Sequence, residues 1–215
     1  LLGLSPETGI LPLTMPGFGT TQMTLGAVKE LCTILGFSNL REVDIKDVCT
    51  KMFDMINHNP QDYDVTYENV QARARTYVLM STANKENGIV VGTGDLSEIA
   101  LGWSTYNGDH MSMYNVNCGV PKTLIQFWIH YEALRPGNEQ MKETLQKIVD
   151  FPISPELLPP GADGKEILQK TEEKIGPYEL HDFFLYYFVR FGFTPEKILY
   201  LATAAFKEKY SADEI

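Results

Sequence analysis

Along the first half of the chain, dense apolar runs alternate with apolar positions spaced three and four apart. Gly9–Met15 (GILPLTM) is a dense run and predicts a buried strand, followed by a Gly-rich loop, PGFGTT. Leu25–Gly36 (LGAVKELCTILG) has helical spacing, with Gly36 as its stop. LREVDI alternates as a strand does, and KDVCTKMFDMIN returns to helical spacing. VTYENVQARARTYVLMSTANKENG predicts one long helix ending at Asn87–Gly88, and GIVVGT a short β-branched strand. Strand, helix, strand, helix in this order predicts an α/β fold: a Rossmann-like parallel sheet with helices on both faces.

After VPK the character changes. KTLIQFWIHYEAL is helical, with Pro121 in its first turn, and RPGN breaks it. EQMKETLQKIVD is another helix, and FPISPELLPPGADG a Pro-rich connector read as an ordered loop. YELHDFFLYYFVRFG and TPEKILYLATAAFKEKY complete an all-helical C-terminal portion. The first of these is apolar nearly all round, which predicts burial in the core or in a subunit interface.

Composition adds bounds. The chain has 215 residues, 44% hydrophobic and 21% charged, enough for one well-buried core. No apolar run approaches the roughly 20 residues that cross a bilayer. The start, LLGLSPETGILPLTM, has neither a basic region nor a cleavage site, and it has no initiator Met, as though it continues something longer. A net charge of −10 without a Lys/Arg cluster argues against nucleic acid. Cys32, Cys49 and Cys118 form no metal-binding spacing and read as reduced, partly buried thiols of a cytoplasmic protein.

The candidate chemistry lies in GTGDLSEIALGWSTYNGDHMSMYNVNCGVPKT, Gly92–Thr123. IVVGTGDLSEIALGW reads strand, loop, helix, which puts Thr93 and Gly94 at the mouth of a sheet, where small residues admit a nucleotide. Asp95 and Glu98 have capping-box spacing, and a carboxylate at Glu98 can equally hold Mg2+. Trp103–Tyr106 (WSTY) offers a ring face, two hydroxyls and a phenol for a heteroaromatic ring and sugar, or else one buried Trp at a helix end. His110 reads as a structural hydrogen-bonder. Lys122, in the first turn of a helix, opposes the macrodipole; a bound phosphate would relieve that conflict, while a solvated lysine is the plainer alternative. Asn69 and Arg73 share a helical face with Arg75 turned away, and Arg73 can meet an anion or a surface carboxylate. GxGxxG, GxxxxGK[ST] and nucleophile–base spacings are all absent.

TMPGFGTT, DVTYENVQAR, the block from GTGDLSEIALGW to GVPKTLI, and IGPYELHDFFLYYFVRFGF together resemble the synthetase domain of glutamine-dependent NAD synthetases, in order and over nearly the whole chain. The resemblance implies one domain over residues 1–215, with an adenine nucleotide alpha hydrolase-like fold. It implies ATP-dependent amidation of deamido-NAD through an adenylated nicotinate, with Mg2+. Thr93, Lys122 and Ser154 match ATP contacts; Asn69, Arg73, Glu98, Trp103, Ser104, Thr105 and Tyr106 match deamido-NAD contacts, and Glu98 also matches a metal position. No residue is assigned as a nucleophile. The family's SGGxDS pyrophosphatase loop, its nitrilase-like glutaminase domain, which supplies ammonia from glutamine, and its basic C-terminal tail are expected outside these residues, so this stretch alone is expected to turn over little. The family pairs as dimers, which implies a homodimer or higher homo-oligomer. A GMP-synthetase-like adenylating ligase and a non-catalytic nucleotide-binding or oligomerisation module are the competing readings.

Overall fold

A computed structural model of the protein describes residues 5–159 and 170–215. Ser5 accepts the Glu7 N–H and starts a single helical turn, α1 (Pro6–Gly9), which ends on the first residue of the expected strand. Strand β1 is only Leu13–Thr14, paired in parallel with β2 (Arg41–Glu42). Prolines bracket it. Pro12 and Pro16 have no N–H and act only as acceptors, from Arg41 N at 3.0 Å and Ile45 N at 3.1 Å. Between the strands runs α2 (Gln22–Ile34), whose N-cap Thr21 accepts the Thr24 N–H at 3.2 Å.

Helix α3 (Lys46–Ile56) ends on Asn57 in the left-handed region, φ 54°. Helix α4 (Val65–Glu86) is the long helix the spacing predicts. Asp64 caps it by accepting the N–H groups of Thr66 and Tyr67 at 2.8 and 2.9 Å, and Asn87, φ 55°, closes it. Its 22 residues span about 33 Å. Strand β3 (Val91–Gly92) leads into α5 (Leu96–Leu101) and pairs in parallel with β4 (Tyr114–Asn115). The rest is helical: α6 (Lys122–Leu134), α7 (Lys142–Asp150), a short α8 (Thr171–Ile175), α9 (Tyr178–Leu185) continuing into a π-helical turn at Tyr186–Arg190, and α10 (Pro195–Phe206).

The architecture is therefore mixed α/β and rich in helix. Among the described residues the expected single sheet is present as two separate two-stranded parallel pairs. Strand β4 was not expected, because its pairing begins with the N–H groups of Met113 and Tyr114 on the Val90 carbonyl and has no apolar period to announce it. Residues 151–159 of the Pro-rich connector contain neither helix nor strand; from residue 160 to its end the connector lies outside the described residues.

The core forms where α3 meets α4: Ile45, Cys49, Phe53, Tyr67 and Ala74, with Phe18 of the Gly-rich loop packed against them. The Phe53 and Tyr67 rings stack with centroids 5.4 Å apart. Burial pushes the Cys49 thiol up to about 11 and the Tyr67 phenol up to about 12, so both stay neutral at ordinary pH. Cys32 is half-buried and Cys118, against expectation, is exposed. In the C-terminal helices Tyr178, Leu180, Ile198 and Ala202 are buried, while Tyr186, Phe188, Val189, Phe191 and Tyr200 are exposed, so one side of this pair is core and the other faces outward.

The Gly-rich loop depends on one close backbone approach. A Cβ on Gly19 would lie 2.3 Å from the Glu156 carbonyl oxygen and 2.6 Å from that of Leu158, and backbone cannot swing aside as a side chain does. Gly26 has nothing within 4 Å of its Cβ position. Chemical denaturation is expected to show Gly19→Ala losing about 1–3 kcal/mol and Gly26→Ala, inside an exposed turn of α2, gaining about 0.5–1 kcal/mol.

Candidate functional site

Helix α4 carries the loop between α5 and β4 on one face. Asn69 Oδ1 accepts the Thr105 hydroxyl at 2.7 Å, Arg73 Nε donates to the Tyr106 carbonyl at 3.0 Å, and the Thr76 hydroxyl donates to the Gly108 carbonyl at 2.6 Å. Spacings of four and three residues put these side chains in one row. The loop is braced internally as well: Asp109 accepts the Thr105 N–H at 2.8 Å, and His110 Nδ1 lies 2.9 Å from the Thr105 carbonyl.

On the other side of that loop, Asp95 and Glu98 form the expected capping box at the start of α5. Both carboxylates also face Lys122: its Nζ is 2.6 Å from Asp95 Oδ2 and 2.6 Å from Glu98 Oε1, with the Tyr178 ring 5.6 Å away. Burial alone would lower the Lys122 pKa; the two carboxylates outweigh it and raise it. The conflict between a lysine and its own helix dipole is thus relieved inside the chain. Pro121, the N-cap of α6, has no capping side chain. Instead Ser97 Oγ accepts the Lys122 N–H at 2.9 Å, and Asp182 Oδ2 accepts the Thr123 N–H at 2.8 Å and its hydroxyl at 2.7 Å. Ser97 in turn donates to Asp182, so buried side chains from α5 and α9 cap α6.

Two cavities open beside these groups. The first, about 400 Å³, lies beyond the carboxyl end of β1 and is bounded by Thr14, Met15, Thr20, Thr24, Arg75 and Glu156 among others. The second, about 670 Å³, lies beyond β3 and is bounded by Asn69, Thr93, Glu98, Trp103, Ser104 and Thr105 among others. Arg75, Ile153, Ser154 and Pro155 line both. Crevices at the carboxyl ends of parallel strands are where α/β folds bind nucleotides, and the volumes suit one small ligand each.

The NAD synthase family model matches residues 5–199. The chain belongs to that family. It is 48% identical over 209 residues to the glutamine-dependent NAD(+) synthetase of Mycobacterium leprae, covering 94% of this chain and 30% of that relative. Its fold is similar to that of a glutamine-dependent NAD(+) synthetase from Cytophaga hutchinsonii, with TM-score 0.69, 17% identity and coverage of 96% of this chain and 32% of the other. The Acinetobacter baumannii synthetase, solved in complex with adenosine diphosphate, has TM-score 0.60, 20% identity and coverage of 95% and 33%. The chain thus spans about a third of the length of these proteins.

The ten residues that resemble NAD synthase family contacts fall into two groups. Asn69, Thr93, Glu98, Trp103, Ser104, Thr105 and Ser154 line the second cavity, and Ser154 the first as well. Lys122, Arg73 and Tyr106 are not among the second cavity's lining residues: Lys122 meets the wall through Glu98, and Arg73 and Tyr106 are exposed and bonded to each other. Tyr106 is 75% exposed. Glu98, the carboxylate expected to hold Mg2+, is on that cavity's wall with its Oε1 2.6 Å from Lys122 Nζ. Among the described residues no three His, Cys, Asp or Glu side chains gather as a metal site. One carboxylate on a cavity wall suits a Mg2+ that arrives on nucleotide phosphates. Sequence reasoning missed Gln71, Arg75, Tyr178 and Asp182. For Asp182, the only signal was a lone carboxylate in the apolar run HDFFLYYF.

Replacing Lys122 with Met leaves Asp95, 1% exposed, without its cation. The variant is expected to lose about 3 kcal/mol in urea denaturation at pH 7, as broken buried pairs do. The Lys122 pKa is raised on folding, so its contribution is complete below the unfolded lysine value of about 10.4 and disappears as pH climbs through the higher folded value. The difference between wild type and Lys122→Met should hold from pH 7 to about 10 and shrink above that.

Proposed function

We propose that these residues are the amide-forming part of a glutamine-dependent NAD synthetase, converting deamido-NAD to NAD with ATP and ammonia. The observation that carries the reading is the pair of cavities with a shared wall, because the reaction must bring two nucleotides together at one phosphorus atom. Similarity to relatives of that name over nearly the whole chain supports it. ATP occupies the first cavity, between the Gly-rich loop and Ser154; of the three expected ATP contacts only Ser154 lines it, while Thr93 lines the second cavity and Lys122 reaches that cavity's wall through Glu98. Deamido-NAD occupies the second, with its nicotinate ring on the Trp103–Thr105 segment that Asn69 holds in place.

A carboxylate oxygen of nicotinate attacks the α-phosphorus of ATP, the α–β bridging bond breaks and pyrophosphate leaves with the bonding pair. Ammonia then attacks the carbonyl carbon, AMP leaves, and the surplus proton passes to solvent. The chain's own groups position these partners and stabilise charge; the sequence assigns none as a nucleophile. Lys122 holds Glu98 and Asp95 in place, and Glu98 contacts substrate or Mg2+. When bound, Mg2+ neutralises the charge of the phosphates. Ammonia comes from glutamine through the nitrilase-like domain of the whole protein.

In this reading the two parallel pairs are portions of one Rossmann-like sheet with helices on both faces. The exposed apolar side of α9, its π-turn and α10 is covered in a cytoplasmic homodimer or higher homo-oligomer. No described helix is long and apolar enough to cross a membrane.

The test is NAD formation by the full-length protein from deamido-NAD, Mg-ATP and ammonium. Turnover is expected, and Asn69→Ala should raise the KM for deamido-NAD about tenfold, the effect of losing about 1.4 kcal/mol of binding, because Thr105 loses its anchor. Amidation of xanthosine monophosphate in place of deamido-NAD would instead favour a GMP-synthetase-like ligase. Nucleotide binding with no turnover on either substrate would favour a binding module.

A further inference from the structure

Arg75 is turned away from the row formed by Asn69, Arg73 and Thr76, and it points between the Gly-rich loop and the Ile153–Glu156 segment. Its Nε donates to the Met15 carbonyl at 3.3 Å and its Nη2 to the Thr20 hydroxyl at 3.4 Å, both long bonds to neutral acceptors. The surface arginines Arg41 and Arg135 each have a carboxylate, Glu86 and Glu132. Among the described residues Arg75 has no such ion pair, although it is far less accessible. Burial pushes its pKa down, with partial compensation from Glu156, Cys49 and Asp109 at longer range. A cation removed from water without a paired anion is costly, and such charges gather where a ligand completes them.

Its position says which ligand atom completes it. Of the four residues that line both cavities, Ile153 and Pro155 are apolar, and Ser154 is a neutral hydroxyl whose Oγ accepts the Glu156 N–H at 3.1 Å. Arg75 is the charged group in that shared wall. On the function proposed above, one reacting group must be reached from both cavities: the α-phosphate of ATP, which nicotinate attacks from one side while pyrophosphate leaves on the other. We infer that the Arg75 guanidinium is a catalytic residue that donates hydrogen bonds to the non-bridging oxygens of the α-phosphate during adenylation. Its planar fork matches two phosphate oxygens in a way an ammonium cannot. As the carboxylate–phosphorus bond forms and the α–β bridge breaks, charge builds on those oxygens, and a donor already in place stabilises it without reorganisation.

The test isolates that half-reaction in the full-length protein. Exchange of labelled inorganic pyrophosphate into ATP, dependent on deamido-NAD, reports adenylation without ammonia. Arg75→Met should slow exchange by about a hundredfold or more and Arg75→Lys by about tenfold, with the KM for deamido-NAD changed by less than about threefold, since Arg75 acts at the phosphate and not on the dinucleotide. Denaturation midpoints of both variants separate a catalytic from a structural role. Exchange within about threefold of wild type in Arg75→Met overturns the inference. So does a folded Arg75→Lys at full rate, because a point charge would then suffice. Wild-type protein with no exchange overturns the functional reading and this inference together; wild-type exchange that survives in Arg75→Met overturns only the inference.

Discussion

The side-chain amide of Gln71 joins three separate pieces of backbone. Its Oε1 accepts the Phe18 N–H at 3.0 Å, and its Nε2 donates to the Leu157 carbonyl at 2.7 Å and to the Tyr67 carbonyl at 3.3 Å. The residue has no exposed surface, and the Phe18 N–H and the Leu157 carbonyl would lose this partner beside the core, at a cost of about 1–3 kcal/mol apiece, while the Tyr67 carbonyl keeps its helical bond. Gly17 is the complement: a Cβ there would lie 2.8 Å from the Gln71 oxygen. The Gly-rich loop and the segment before residue 159 are therefore held at fixed distances from α4, and these two strips of chain are the walls of the first cavity.

What Gln71 does on one side of α4, Asn69, Arg73 and Thr76 do on the other. The helix is a spine with two sets of brackets, and good caps at Asp64 and Asn87 fix its ends. Neither cavity is formed by one element. The first lies where the loop leaving β1 is tied back to the spine by Gln71, the second where the loop between α5 and β4 is tied back to it by Asn69, Arg73 and Thr76. The second cavity has further support at its far edge, where Asp182 and Ser97 cap α6 and fix Lys122 against Asp95 and Glu98. Buried networks of this kind specify one geometry because each member is costly to leave unpaired.

Much of the helical structure was legible because helix ends are announced locally. Asn87, Pro121 and the Asp95–Glu98 box are short-range signals, and the structure uses each of them at the end of a helix. The strands were less legible. Pro12 and Pro16 end the β1 pairing however apolar the run between them, and β4 is defined by its partner. In the site, the stretch from Gly92 to Thr123 stood out by composition, and the Asn69–Arg73 face was right as a face. Spacing could say that Arg75 points elsewhere, but not that a loop ending 55 positions earlier covers it. The partners of Lys122 and Thr123 lie 24 and 59 positions away in sequence, which no local pattern encodes. The dipole argument for Lys122 identified a genuine electrostatic conflict, which two carboxylates of the chain resolve.

The proposed reaction requires two nucleotides to meet across the wall shared by the two cavities. The most direct measurement is a crystal structure of the full-length protein with deamido-NAD and a non-hydrolysable ATP analogue. The complex is expected to hold adenosine between the Gly-rich loop and Ser154, nicotinate on the Trp103–Thr105 segment, and the α-phosphate within hydrogen-bond reach of Arg75. Both ligands in one cavity, or an α-phosphate remote from that wall, would contradict it.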